Sequence, residues 1–351
     1  MSDSIPTIRE IAKACGCNNS TVSRALSNKP NISPATRERV QKIAKDMGWR
    51  PNPIVAAYAA HRRASAKPQF QATLAYLLDN ETLNPEAGKN FKDNHFRGAR
   101  NYATKLGYKV ETFKLAEVDY NTRRLCSMIR NRGIPGVIIP DIRTLNFLSE
   151  SEFDWESFAM ATSDYAVHSI RLHRSAYYWP QGMRIIIEKI KRYGYHKTAL
   201  ILHESFDKLT DYVLTSAFYH FEKHHDKRQN FKSYIIPEGS KDVLGQVESW
   251  LVKNKPQVVI ATDETWNAIQ HLKLRVPDDI AYVSPHWSPD WPQIAGLNQN
   301  WEVMGANAVE LIANQINSNE RGIPTTPKML FNEGFWVDGA SLPNRNSTDS
   351  D

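Results

Sequence analysis

With 351 residues, the chain is too long for one ordinary domain and suits two or three, and a hydrophobic fraction of 41% supplies real cores. The net charge of +6 is uneven: residues 1–67 hold twelve basic against four acidic side chains, a net +8, so the remainder carries −2. Positive charge confined to one end is the electrostatic footprint of nucleic-acid binding and implies salt-sensitive attachment. With no leader-like stretch and no long apolar run, the sequence predicts a soluble, cytoplasmic protein without membrane contact.

Residues 7–60 set the organisation. Thr7 stands three before Glu10, a capping box that opens a helix with Ile8, Ile11 and Ala12 inward. Gly16 ends it. Asn18 or Asn19 caps a second helix with Val22, Ala25 and Leu26 inward. Ser33-Pro34 starts a third, whose buried face is Val40, Ile43, Ala44 and Met47, and Gly48 closes it. Two short helices around a glycine turn, covered by a third, make a helix-turn-helix.

The second helix then presents Asn19, Ser20, Ser23 and Arg24 outward, compact groups suited to base edges, with Arg suited to guanine. Thr7, Asn18, Thr21, Ser33 and Thr36 suit phosphate oxygens at helix N-termini, although such residues also serve as plain caps. Cys15 and Cys17 lie beside the turn, and Cys126 is the third cysteine. No second Cys or His pair follows at zinc spacing, so neither a metal nor a cofactor is expected.

The series Thr7-Ile8-Arg9-Glu10-Ile11-Ala12, Gly16, Ser20 to Leu26, Ile32-Ser33, Thr36-Arg37, Val40 and Trp49-Arg50-Pro51-Asn52-Pro53 resembles the headpiece of the LacI/GalR family of bacterial transcription regulators. The resemblance implies that Asn19, Ser20 and Arg24 read the operator. It implies that Ser23, Ser27, Asn31, Ser33, Thr36 and Asn52 hold phosphates or nearby bases. It also implies a hinge helix after Pro53 that folds on DNA, with Tyr58 where the family wedges a leucine into the minor groove. Residues 54–60 are too few for a stable isolated helix, which fits folding on contact.

From residue 70, strands alternate with helices. Strands are expected at 72–78, 108–115, 136–140, 157–162, 197–202, 232–237, 257–262 and 280–284. Helices are expected at 95–106, 121–132, 180–192, 209–224, 242–254, 266–272 and 302–317. This pattern argues for parallel sheets covered on both faces, in two doubly wound subdomains with a cleft at the strand ends. The same family implies a half like a type I periplasmic sugar-binding protein. The expected organisation is a helix-turn-helix domain over 1–50, a hinge and linker over 51–69, and an effector and dimerisation domain over 70–343. That domain divides into 70–162 plus 290–320 and 163–289 plus 321–343, and a disordered tail follows at 344–351.

Cleft candidates are Asp79, Asp141 and Asp263 at strand ends, Trp266 beside the last, and His286 and Trp287 after a late strand. Carboxylates accept sugar hydroxyls and indole faces suit a pyranose, but a strand-end Asp also caps helices and Trp266 also suits a core. Asp211 falls near where the family places an arginine, and Ser284-Pro285-His286-Trp287 replaces its usual glycine and acidic residue. The pocket is therefore rebuilt. No glycine-rich phosphate loop, Gly-x-Ser-x-Gly elbow or His-Glu-x-x-His is present, so no catalysis is expected. The reading is a homodimeric regulator, most simply a repressor, on a pseudo-palindromic duplex operator, modulated by a small effector such as a sugar. The alternative is a regulator that answers to a protein partner or to no small molecule.

Overall fold

The computed structural model describes residues 6–26, 32–49, 70–80, 83–84, 90–140, 142–163, 170–224 and 228–346. The expected hinge and linker, and with them Asn52 and Tyr58, lie outside these residues, as do Ser27, Asn31 and Asp141.

The head is three helices, α1 (Ile8–Cys15), α2 (Asn19–Leu26) and α3 (Pro34–Asp46). Thr7 Oγ1 accepts from the Glu10 N–H at 3.4 Å and the Thr7 N–H donates to Glu10 Oε2 at 2.6 Å, so two end groups satisfy each other. These bonds hold the Glu10 carboxyl below its usual range. Gly16, at φ 63, turns the chain as its N–H reaches Ala12 O. Asn18 caps α2, its Oδ1 accepting from the Thr21 N–H at 2.8 Å. Ser33 caps α3 with Pro34 at the first position. Ile11, Val22, Ala25, Val40 and Ala44 form the core. Ile8 and Met47, expected inward, are each 37% exposed. They occupy the first position of α1 and the C-cap of α3, past the point where the helices pack.

The rest is two six-stranded sheets. The first takes β1 (Ala72–Leu78), β2 (Tyr108–Lys114), β3 (Gly136–Ile139), β4 (Ala159–Ser163), β5 (His173–Tyr177) and β11 (Met329–Asn332), in the order β11-β5-β4-β3-β1-β2, every pair parallel. The second takes β6 (Lys197–His203), β7 (Asn230–Ile236), β8 (Val258–Ala261), β9 (Ala281–Ser284), β10 (Ala295–Asn298) and β12 (Phe335–Val337), in the order β12-β10-β9-β8-β6-β7, with only β12 antiparallel.

Successive side chains point to opposite faces, and both faces are covered. On the first sheet, Leu74, Tyr76 and Leu78 pack under α4 (Phe91–Lys105) and α12 (Trp301–Ser318). Ala75 and Leu77 pack under α5 (Thr122–Asn131) and α6 (Ile142–Ser149). On the second, Leu200 and Leu202 meet α7 (Trp179–Arg192) and α9 (Val213–Lys223). Ala199 and Ile201 meet α10 (Val243–Asn254) and α11 (Asp263–His271).

Three strands depart from the expected subdivision. β5 and β11 join the first sheet, and β10 joins the second. These strands are only four or five residues long and carry no long apolar run, so periodicity does not mark them. The expected helix 209–224 begins only at Val213, as α9; a separate short α8 (Glu204–Leu209) precedes it, and the chain breaks between them at Asp211 and Tyr212, whose φ values are 53 and 57.

The chain passes between the sheets after β5, after β10 and after β11, always at the C-terminal end of a strand. The three crossings are bonded together. The Tyr178 N–H donates to Asn332 O at 3.0 Å, and Asn332 Nδ2 donates to Gln299 O at 2.8 Å. A Cβ on Gly334 would stand 2.2 Å from Asn298 O, so only glycine fits there.

Candidate functional site

On the head, Asn19, Ser20, Ser23 and Arg24 are all exposed on α2, while Val22 and Ala25 anchor the opposite face. Helical spacing puts donors and acceptors in one row on a rigid, capped element. Asn18 Oδ1 also accepts from Ser20 Oγ at 2.7 Å, and Ser33 Oγ donates to Thr36 Oγ1 at 2.8 Å. Thr7, Asn18, Thr21, Ser33 and Thr36 therefore all lie at helix N-termini, where the helix field favours an anion. In this structure the side chains of Thr7, Asn18 and Ser33 are engaged in capping.

The cleft candidates separate. Asp79 is exposed after β1 and accepts from Tyr120 Oη at 2.6 Å. Asp263 opens α11; desolvation, then Glu264, raises its carboxyl above the usual range. Trp266 packs into the second half against Tyr282 at 5.1 Å between ring centroids. Asp211 is exposed in the break between α8 and α9.

His286 lies at the crossings. Its ring is stacked with Trp301 at an interplanar angle of 2° and meets Trp179 and Phe206 edge-on, with centroids 5.3 and 4.8 Å away. Trp301 in turn touches Phe91 of α4. The aromatic cluster thus joins the helices of the first sheet to the strand ends of the second. Gln299 Nε2 lies 3.1 Å from Pro285 O and 2.7 Å from His286 Nδ1. A carbonyl only accepts, so the amide donates to both, and the imidazole proton sits on Nε2. Burial pushes the His286 pKa down to about 4, which keeps the ring neutral near pH 7. His286 Nε2, Trp287 Nε1 and Gln299 Oε1 are buried with no partner among the described residues. Two donors and an acceptor are left unsatisfied beside an aromatic wall.

On the first sheet, a buried chain runs from Tyr76 Oη to His95 Nδ1 at 3.0 Å and from His95 Nε2 to Ser163 Oγ at 2.6 Å. It ties β1, α4 and β4 together. Gln299, Trp301, Trp179, Phe206, His95 and Ser163 were not among the expected cleft residues. Recognising β10 would have marked Gln299 as a strand-end residue; the others carry no motif. Among the described residues, no group of His, Cys, Asp and Glu is placed to hold a metal ion. No helix there is long and apolar enough to cross a membrane.

Residues 7–52 match the family described as bacterial regulatory proteins, lacI family. That stretch is a lacI-family headpiece. The HTH-type transcriptional repressor PurR of Vibrio vulnificus is 20% identical over 345 residues, covering 90% of this chain and 93% of that protein. MalR of Streptococcus pneumoniae is 46% identical over 46 residues, 13% of this chain and 14% of MalR. NtdR of Bacillus subtilis is 27% identical over 135 residues, and the match spans only 37% of its length. Among solved structures, a lac repressor dimer bound to operator and an anti-inducer superposes with a TM-score of 0.53 at 14% identity, covering 97% of this chain and 100% of that one. The regulator CelR in complex with cellobiose superposes at 0.52 and 18% identity, over 96% and 99%. These likenesses establish the two-sheet fold. The headpiece is the part most alike, at 46% identity to MalR against 20% over the longer match to PurR.

Proposed function

We propose that this protein is a transcription regulator, most simply a repressor, that binds a pseudo-palindromic operator as a homodimer and is modulated by a small ligand in the cleft. The observation that carries the DNA half is the exposed row Asn19, Ser20, Ser23 and Arg24 on a capped helix in the region matching the family. Two such helices reach successive major grooves when dimer symmetry sets them one helical turn apart. Asn52 and Tyr58, together with Ser27 and Asn31, would add phosphate and minor-groove contacts.

The effector half rests on the crossings. Unsatisfied His286 Nε2, its ring stacked on Trp301, together with unsatisfied Trp287 Nε1 and Gln299 Oε1, suits an uncharged ligand with hydroxyls and an apolar face, as a sugar has. Asp79, Asp141 and Asp263 remain the carboxylates proposed to reach its hydroxyls; Trp266, packed against Tyr282, and Asp211 are the weaker members of that set. Ligand closure would shift one sheet against the other at the three crossings and re-space the heads.

The test is selection of binding sites from a random duplex library at fixed moderate salt, with Arg24→Ala in parallel. An enriched inverted repeat, lost in the variant, is the expected result. Salt-sensitive binding without any enriched motif would leave only a non-specific DNA binder.

A further inference from the structure

The turn between α1 and α2 carries two thiols in Cys15-Gly16-Cys17, and no capping or DNA role uses them. Cys15 is buried in the head core, 6% exposed, with its Sγ 3.6 Å from Ala12 O. Cys17 is part-exposed; its Sγ lies 3.5 Å from Cys15 O and accepts from the Arg39 guanidinium at 3.5 Å. All three cysteines are free. Residues two apart have Cα atoms at most roughly 7 Å apart even when extended, which is the upper edge of disulfide geometry. The left-handed Gly16 between them bends the chain and closes that gap.

We propose that Cys15 and Cys17 are a peroxide-sensitive pair whose reversible disulfide unlatches the DNA-reading helix. The regulatory consequence rests on the DNA-binding function proposed above; the disulfide does not. Cys17 is the sulfur an oxidant meets. It attacks hydrogen peroxide, an S–O bond forms as the O–O bond breaks, and the departing hydroxide leaves as water with the thiol proton. The Arg39 guanidinium stabilises the charge passing onto that hydroxide. The sulfenic acid so formed is attacked by Cys15, the S–S bond forms as the S–O bond breaks, and a second water departs with the Cys15 proton. Two thiols lose two electrons in total and one peroxide is reduced to two waters. Burial holds the Cys15 thiol above its usual range, so it stays protonated and does not react first.

The switch follows from what the turn holds. The Gly16 and Cys17 N–H groups both reach Ala12 O, and the next residue, Asn18, caps α2. Joining the sulfurs draws Cys15 away from Ile11, Ala12 and Val22 and twists the chain one residue before that cap. An intracellular disulfide of this kind is transient by nature.

The experiment treats the full chain with hydrogen peroxide and then dithiothreitol, alongside Cys17→Ser and Cys15→Ala. We expect the peptide 14–24 to lose two hydrogens by mass under non-reducing conditions. Amide exchange over residues 19–26 should speed up, affinity for a selected duplex should fall at least tenfold, and dithiothreitol should restore all three. Cys17→Ser should be insensitive, and Cys15→Ala should at most gain oxygen at Cys17 without losing two hydrogens. Failure of the peptide to lose two hydrogens overturns the pair, and a disulfide that leaves exchange over residues 19–26 unchanged overturns the switch. A reduced chain that binds no duplex would refute the DNA reading, while mass and exchange would still decide the thiol proposal.

Discussion

Arg24 projects from α2 beside three short polar side chains, on a helix whose other face is closed by Val22 and Ala25. A guanidinium that meets a guanine in two bonds is worth about 1–3 kcal/mol of discrimination. Arg24→Ala should therefore cost roughly ten- to a hundredfold in operator affinity, read by titration at constant salt, with the helix content unchanged. An equal loss on operator and random duplex would make Arg24 a phosphate contact instead. His286 gives a pH prediction. An unfolded histidine protonates near pH 6.5, whereas in the fold it does so only near pH 4. Its contribution is intact above pH 6.5. As pH falls towards 4, only the unfolded chain takes the proton, and stability drops by up to about 1.4 kcal/mol per pH unit. His286→Gln should flatten that part of the profile. Melting temperatures at pH 7 and pH 5 that differ equally in both proteins would exclude it.

At the scale of elements, two glycines set how α4 and α12 meet. A Cβ on Gly98 would stand 1.9 Å from Glu302 O, and one on Gly305 would stand 1.9 Å from His95 O. The neighbour is backbone in both cases, so it cannot rotate aside. The close approach carries α12 onto the first sheet, although β10, just before it in the chain, belongs to the second. Gly305→Ala should destabilise the protein by about 1–3 kcal/mol, the usual cost of overpacking, seen as a lower denaturation midpoint. Gly16→Ala is a useful contrast. Nothing lies within 4 Å of a Cβ there, so its cost is the left-handed backbone alone, about 1–2 kcal/mol, confined to the head. If Gly305→Ala left the midpoint where it was, the helices would have to separate freely.

For the whole molecule, the charge division matters most. The net +8 of residues 1–67 against −2 elsewhere predicts a steep fall of duplex affinity with salt. A plot of log affinity against log salt with no slope would contradict an interface built on phosphate contacts. The three bonded crossings at Tyr178, Gln299 and Asn332 couple the two sheets, so ligand and operator should influence each other reciprocally. Ligand titrations with and without operator should give affinities shifted by the same factor that the ligand imposes on the operator. Identical ligand affinities in both conditions would remove the coupling.

Local signals carried the head almost entirely. Thr7 with Glu10, Gly16, Asn18 and Ser33-Pro34 act within a few residues of themselves, so their roles are written in short-range spacing, and the structure forms each one. The buried strands β1, β3, β6 and β8 are legible for the same reason, as apolar runs bounded by turns. What needed the tertiary structure is where distant pieces meet. β5, β10 and β11 are short and take their sheet from hydrogen-bond partners far along the chain, so no periodicity assigns them. Ile8 and Met47 satisfy an inward pattern yet stand at helix ends and stay partly exposed. His286 was legible as a strand-end residue, but its neutral ring, its Gln299 bond and its stack on Trp301 depend on contacts between segments 13 to 15 residues apart and on Trp179 and Phe206 beyond them. Burial and desolvation belong to the packed molecule, and only the fold brings those side chains into one cluster.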